Sequence, residues 1–250
     1  MAHLLITADD CGMSKGINAA TVALHKKGMT HHASVLANFP ATGHALELFR
    51  DDPALRVGAH LNLTEGKALT YSDPYVLTYP NVFFLSYARL IAHALAPTKD
   101  FLRAVENELD AQIRVLVTAG FQPAHLTTHM HFHLLPSLRR VVYQLAERFH
   151  VPWVREHRLA RAAFPFNPFL EKNIQPVPDS PAYLSALLYM MPFEMKGQVA
   201  MIRSLPGTVE LAVHPSLARD ETFPAYASYP PRERVREMEY LERLMNALRE

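Results

Sequence analysis

A single α/β domain of the (β/α)-barrel kind, complete or distorted, is the fold this chain predicts, on three observations. Apolar strand-like runs alternate with helical runs along most of the length, the order that builds a parallel sheet wrapped by helices. The strand-like runs are short and aliphatic. Several of them end in acids or histidines: Asp9 and Asp10, His60, His129 and His214. Parallel strands present their C-terminal ends on one side, where barrel enzymes keep their chemistry. An open nucleotide-binding sheet is the poorer fit, because Asp9-Asp10-Cys11-Gly12 lacks the G-x-G-x-x-G spacing of a phosphate loop.

The elements follow in order. Leu4 to Asp10 is the first strand. Ser14 caps a helix through about Lys27, and Gly28 stops it. Ala33 to Asn38 is a second strand, and Ala41 to Arg50 a helix ended by Asp52-Pro53. Leu55 to Leu61 is the third strand. Helices are predicted from Phe84 to Leu95 and from Lys99 to Ala119, with Gly120 as the stop. His125 to Thr128 is a strand and Pro136 to Phe149 a helix, with proline in its first turn. Val151 to Arg155 is a short strand. Helical pattern resumes from Ala182 to about Ser204, and Thr208 to His214 is the final strand. Pro231 to Glu250 mixes both signs of charge as a solvated helix does. Residues 67–98 and 159–204 read as variable insertions within one domain spanning 1–250.

Composition narrows the partners. The chain has 250 residues, 49% of them hydrophobic, enough for a sizeable core. With 25 basic and 24 acidic residues the net charge is +1, so no broad field attracts nucleic acid or acidic lipid. One cysteine, Cys11, permits no internal disulfide and fits a reducing compartment, so a cytoplasmic location is expected. No apolar run approaches the roughly 18 residues of a membrane span. A homodimer is left open. The unusual feature is 14 histidines, several of them clustered.

Two imidazoles and one carboxylate with an open position form a common catalytic zinc set. Asp10, His60 and His129 supply such a set from three separate strands. Asp9 is then placed to take a proton from an attacking water, and His214 to give one to a leaving amine. Each residue also has a plain alternative. The acid pair suits an ordinary turn or helix cap, and His60 alone suits a satisfied buried histidine. His129, His131 and His133 alternate, so in an extended segment they share one face. There His131 and His133 line a pocket or support the metal ligands from behind. Arg155 orients a carboxylate or caps a strand at the surface. Cys11, beside two acids, is a poor nucleophile and is assigned to packing. The joint occurrence on strand ends carries the functional reading.

With these residues in view, the chain resembles the YdjC-like carbohydrate deacetylases, relatives of the NodB-type polysaccharide deacetylases. The likeness runs in order through Leu5 to Ser14, Ala33 to Asn38, Val57 to Gly66, Pro123 to His133 and Glu210 to Pro215. It implies a distorted or incomplete TIM-like barrel and metal-dependent removal of acetyl from an N-acetylated amino sugar, as a small carbohydrate or glycoconjugate. By motif position it implies Asp10, His60 and His129 as metal ligands, Asp9 as base and His214 as the late histidine. Arg155 falls near a family arginine. Zinc is the expected divalent ion, since two imidazoles favour it, with magnesium or another divalent ion as the alternative. The sequence departs from the family at Cys11, where phenylalanine is usual, and at Thr127, where aspartate or asparagine is usual. Two rivals stand beside this reading. The His-x-His of residues 129–131 suggests an amidohydrolase-type barrel, and the departures suggest a non-catalytic sugar-binding relative. Tyr71, Tyr75, Tyr79 and Phe83 are candidate sugar-stacking or core aromatics.

Overall fold

A computed structural model describes residues 3–70, 86–155, 182–185, 194–225, 227 and 229–250. Its centre is β1 (His3–Cys11), whose aliphatic residues make ladders on both sides. It pairs in parallel with β2 (His32–Val35) and with β6 (Thr208–Val213). Next to β2 lies β3 (Arg56–Leu61), followed by β4 (Leu126–Thr128); β5 (Ala182–Ser185) flanks β6. The six-stranded order is therefore β4-β3-β2-β1-β6-β5, every pairing parallel. A parallel bridge from Leu126 to Val154 extends the sheet beyond β4. The sheet curls as a half-barrel, and all of its C-terminal strand ends share one rim. Among the described residues no pairing joins β5 back to Val154.

The helices are α1 (Lys15–Lys26), α2 (Thr42–Arg50), α3 (Tyr87–Leu95), α4 (Lys99–Thr118), α5 (Pro136–Arg148), α6 (Met195–Ser204) and α7 (Pro231–Arg249). Ser14 caps α1 by accepting from the Ile17 amide. α4 turns Phe101, Val105, Leu109, Ile113 and Leu116 into the core, the i, i+4 stripe that amphipathic helices bury. On that same buried side sit Glu108 and Gln112. Gln112 accepts from the Asn62 amide and donates to the Asn62 carbonyl, at 2.8 and 2.7 Å. Glu108 accepts from the amides of Leu69 and Thr70 at 3.1 and 2.8 Å. These polar groups tie the segment after β3 to the helix, with each buried atom compensated.

Gly58 marks a close approach. A Cβ there would lie 2.5 Å from the ring of His125, which stacks on Trp153 at 4.7 Å and reaches Ser34 Oγ at 2.9 Å. Any side chain at 58 would displace that buried imidazole.

Three expectations are corrected here. Ala182–Ser185 is a strand and not the start of a helix, because its backbone completes a parallel ladder with Val209–Ala212. Val151–Arg155 makes only the single bridge at Val154 rather than a strand. The helix expected from Phe84 begins at Tyr87. Tyr71, Tyr75, Tyr79, Phe83 and most of 159–204 lie outside the described residues. Among the described residues, no helix is long and apolar enough to cross a membrane.

Candidate metal centre and its flanking acid–base groups

Consecutive residues of a regular strand point to opposite faces, so Asp9 and Asp10 should not face one site. They do so because β1 is irregular. Its register with β2 shifts between Ala8 and Cys11, and Asp10 adopts φ 62°. A bulge of this kind re-aims a side chain at a strand end. A left-handed non-glycine residue there is local strain, which concentrates at functional sites. Met130 and His131, at φ 55° and 53°, repeat the strain just after β4.

The first cluster forms around one oxygen of Asp10. His129 Nδ1 lies 3.0 Å and His60 Nε2 3.3 Å from Asp10 Oδ1. All three residues are buried. Donors bonded to one zinc ion at 2.0–2.1 Å in a tetrahedron stand roughly 3.3 Å apart, so this spacing and donor chemistry fit a divalent ion. The groups behind the donors fit as well. Thr127 Oγ1 is hydrogen-bonded to His60 Nδ1 at 2.6 Å, which leaves Nε2 toward the cluster. His129 Nε2 is buried and faces Glu65 Oε2 at 3.4 Å. Glu65 is held in place by Asn62, whose Nδ2 donates to the Glu65 carbonyl and whose Oδ1 accepts from its amide. Asp10 Oδ2 accepts from Arg234 at 2.7 Å.

The electrostatics agree. Burial works to raise Asp10, but Arg234 and His129 hold it well below the usual carboxylate range. Burial works to lower His129, yet Asp10 and Glu65 push it up to about 10. The negative potential that retains a proton there is the potential that would attract a cation. His60 is pulled down by burial and stays neutral, as a ligand imidazole must.

Two acid–base pairs flank the cluster. Arg155 donates from Nη1 to Asp9 Oδ2 at 2.5 Å and from Nη2 to Asp9 Oδ1 at 2.9 Å. The same guanidinium reaches Glu210 at 3.1 and 2.7 Å. Although burial opposes it, Arg155 keeps Asp9 ionised, well below its ordinary value. On the other flank, His214 Nδ1 lies 3.2 Å from both oxygens of Glu237, and its backbone amide donates to Oε1 at 3.0 Å. Tyr229 donates its hydroxyl to Glu237 Oε2 at 3.0 Å. Burial would lower His214, but Glu237 raises it.

The structure thus brings Asp10, His60 and His129 together and sets Asp9 and His214 beside acid–base partners. It corrects the expectation of one extended face for three histidines. His129–Leu134 is a tight 3₁₀ segment broken by the left-handed pair, so His129 meets Asp10 while His133 bonds Thr128. His131 is partly buried and held well below its ordinary value by burial and by Arg155. Arg155 orients a carboxylate and does not cap an exposed strand. Cys11 is buried and its thiol pushed up to about 12 by burial, as packing requires.

Sequence reasoning missed Arg234 and Glu237 by treating 231–250 as solvated. Both are fully buried, on the stripe that continues through Leu241 and Leu244. That 3-4-3 spacing was the available signal: charged residues standing on the apolar stripe. Glu65 and Glu210 lie within the family-like segments Val57 to Gly66 and Glu210 to Pro215, where no spacing marks them as partners of His129 and Arg155.

The profile of the family described as YdjC-like protein matches residues 3–247. The chain belongs to the YdjC-like family. It is 30% identical to a carbohydrate deacetylase of Halalkalibacterium halodurans over 96% of this chain and 95% of that one. It is 35% identical to a carbohydrate deacetylase of Geobacillus stearothermophilus, over 64% of this chain and 61% of that one. An Enterococcus faecalis V583 protein, provisionally described as a cellobiose-phosphate cleavage protein, superposes with a TM-score of 0.74. That match covers 99% of this YdjC-like chain and 94% of the other at 21% identity, a likeness of fold.

Proposed function

We propose that this chain hydrolyses the acetamide of an N-acetylated amino sugar, in an N-acetylglucosamine-type oligosaccharide or glycoconjugate. A divalent metal ion would be held by Asp10, His60 and His129. The observation that carries the reading is the convergence of these three on one rim, flanked by a carboxylate and an imidazole with buried partners of their own. The carbohydrate deacetylase names of its relatives support acetyl as the group removed. Zinc is favoured over magnesium because two of the three donors are imidazoles.

When bound, the ion would supply Lewis acidity, polarising a carbonyl oxygen and bringing the pKa of water toward about 7. Asp9 accepts the proton of the attacking water. Arg155 orients that carboxylate and keeps it ionised, which also makes it a weaker base than a free carboxylate. His214, held protonated by Glu237 at Nδ1, presents Nε2 to the amine nitrogen as the C–N bond breaks. A neutral amine leaves and acetate remains.

The curled parallel sheet supports a distorted TIM-like barrel, and a single cysteine fits a cytoplasmic setting. The test is acetate release from N-acetylated oligosaccharides, free and lipid-linked, by metal-stripped protein with and without added zinc. Zinc-dependent release supports the reading. Sugar binding with no release across the panel contradicts it and leaves a binding protein.

A further inference from the structure

We propose that Arg234, on the C-terminal helix, is a positioning residue that holds Asp10 as a one-oxygen ligand; this rests on the metal reading above. The carboxylate of Asp10 is divided between two tasks. Oδ1 faces the two imidazoles at 3.0 and 3.3 Å, while Oδ2 accepts from Arg234 Nη2 at 2.7 Å.

The guanidinium is itself immobilised. Its Nε donates to the Tyr229 carbonyl at 2.7 Å, and it lies over the rings of Tyr229 and Phe223 at 5.1 and 5.5 Å. Arg234 is fully buried. A planar fork anchored at both ends fixes the torsion of the carboxylate it grips. That bond favours Oδ2 turned toward Arg234 and away from the place beside Oδ1. Calcium, which takes many oxygens and often a bidentate carboxylate, is disfavoured; ions satisfied by fewer donors are not.

Thr127 behind His60 and Glu65 beside His129 occupy corresponding places, so each donor has a group on its far side. Arg234 is the cation of the three. Its charge could also repel an ion, and the two roles predict opposite signs on its removal. Contact with Asp10 at 2.7 Å neutralises much of that charge at its source, so orientation dominates.

The experiment uses the full chain, metal-stripped, as wild type, Arg234→Met and Arg234→Lys. Zinc affinity is measured by calorimetry, the visible spectrum is recorded with cobalt(II), and folding is followed by thermal melting without metal. Arg234→Met should bind zinc about 10- to 100-fold more weakly. Arg234→Lys should also stay weaker than wild type, because a flexible ammonium lacks the rigid planar fork that sets Nε on the Tyr229 carbonyl and Nη2 on Oδ2 at a fixed angle. Both variants should alter the cobalt spectrum, which a purely structural residue would leave alone. Should Arg234→Met fail to fold, the lysine variant decides. Wild-type or tighter zinc affinity in a folded variant overturns the inference while leaving the metal reading standing. If wild type binds neither zinc nor cobalt, the metal reading fails and the inference falls with it.

Discussion

Arg155 grips both oxygens of Asp9 and, with the same guanidinium, both oxygens of Glu210. One cation thus serves two carboxylates, all three groups buried. Removing it would leave two uncompensated buried charges, and breaking a buried pair of this kind costs about 3–5 kcal/mol. Arg155→Met should lower unfolding stability by at least that much in chemical denaturation. A loss under about 1 kcal/mol would mean that water reaches these carboxylates.

Asp9→Asn keeps the shape of the side chain and abolishes its proton acceptance. Metal content should persist, since Asp9 is not among the three clustered donors. Acetate release should fall about 10²- to 10⁴-fold. Elemental analysis and turnover on one sample separate these outcomes, and full turnover by the Asp9→Asn variant would remove the assigned base.

Glu237 raises His214, so the imidazole stays protonated to higher pH than an ordinary one. Activity that needs the acid form is lost as pH rises through that value. Glu237→Gln removes the charge, and the alkaline limb of the pH–rate profile should move to lower pH. An unmoved limb would place the proton donor elsewhere.

Stability of the metal-free protein should peak near pH 6.5, the ordinary imidazole value. His32 is lowered to about 4 and His133 to about 3, and burial also lowers His60, His125 and His131. Between those values and 6.5 the unfolded chain binds more protons, so stability falls on acidification. His129, held up at about 10, and His214 act oppositely, the folded chain keeping protons that the unfolded chain releases. Stability then falls as pH rises. Melting temperatures across pH 4–10 should describe a dome; a monotonic rise from acid to alkali would refute this assignment of charge.

The parallel α/β sheet and part of the candidate site were legible because they rest on local pattern. The aliphatic run into Asp9-Asp10, the Ser14 cap and the α4 stripe each follow from adjacent residues. So did the pairing of Asp10 with His60 and His129, once strand ends were read together. What escaped depends on backbone departures or distant contacts. Nothing local announces that Asp10 turns left-handed and so shares a face with its neighbour. The histidines at 129, 131 and 133 alternate like a strand, but Met130 and His131 break that period. Arg234 and Glu237 look solvated until β1 and the end of β6 bring Asp10 and His214 to them as partners. Ala182–Ser185 is too short for propensity to outweigh a ladder with β6.

The central claim is that side chains from β1, β3 and the end of β4 meet around one divalent ion. A crystal of the metal-stripped protein soaked in zinc, measured across the zinc absorption edge, tests it most directly. An anomalous peak within bonding distance of Asp10 Oδ1 and of one nitrogen each from His60 and His129 is the predicted result. A peak bonded to other residues, or a blank map at that position with zinc present in the crystal, would contradict the account.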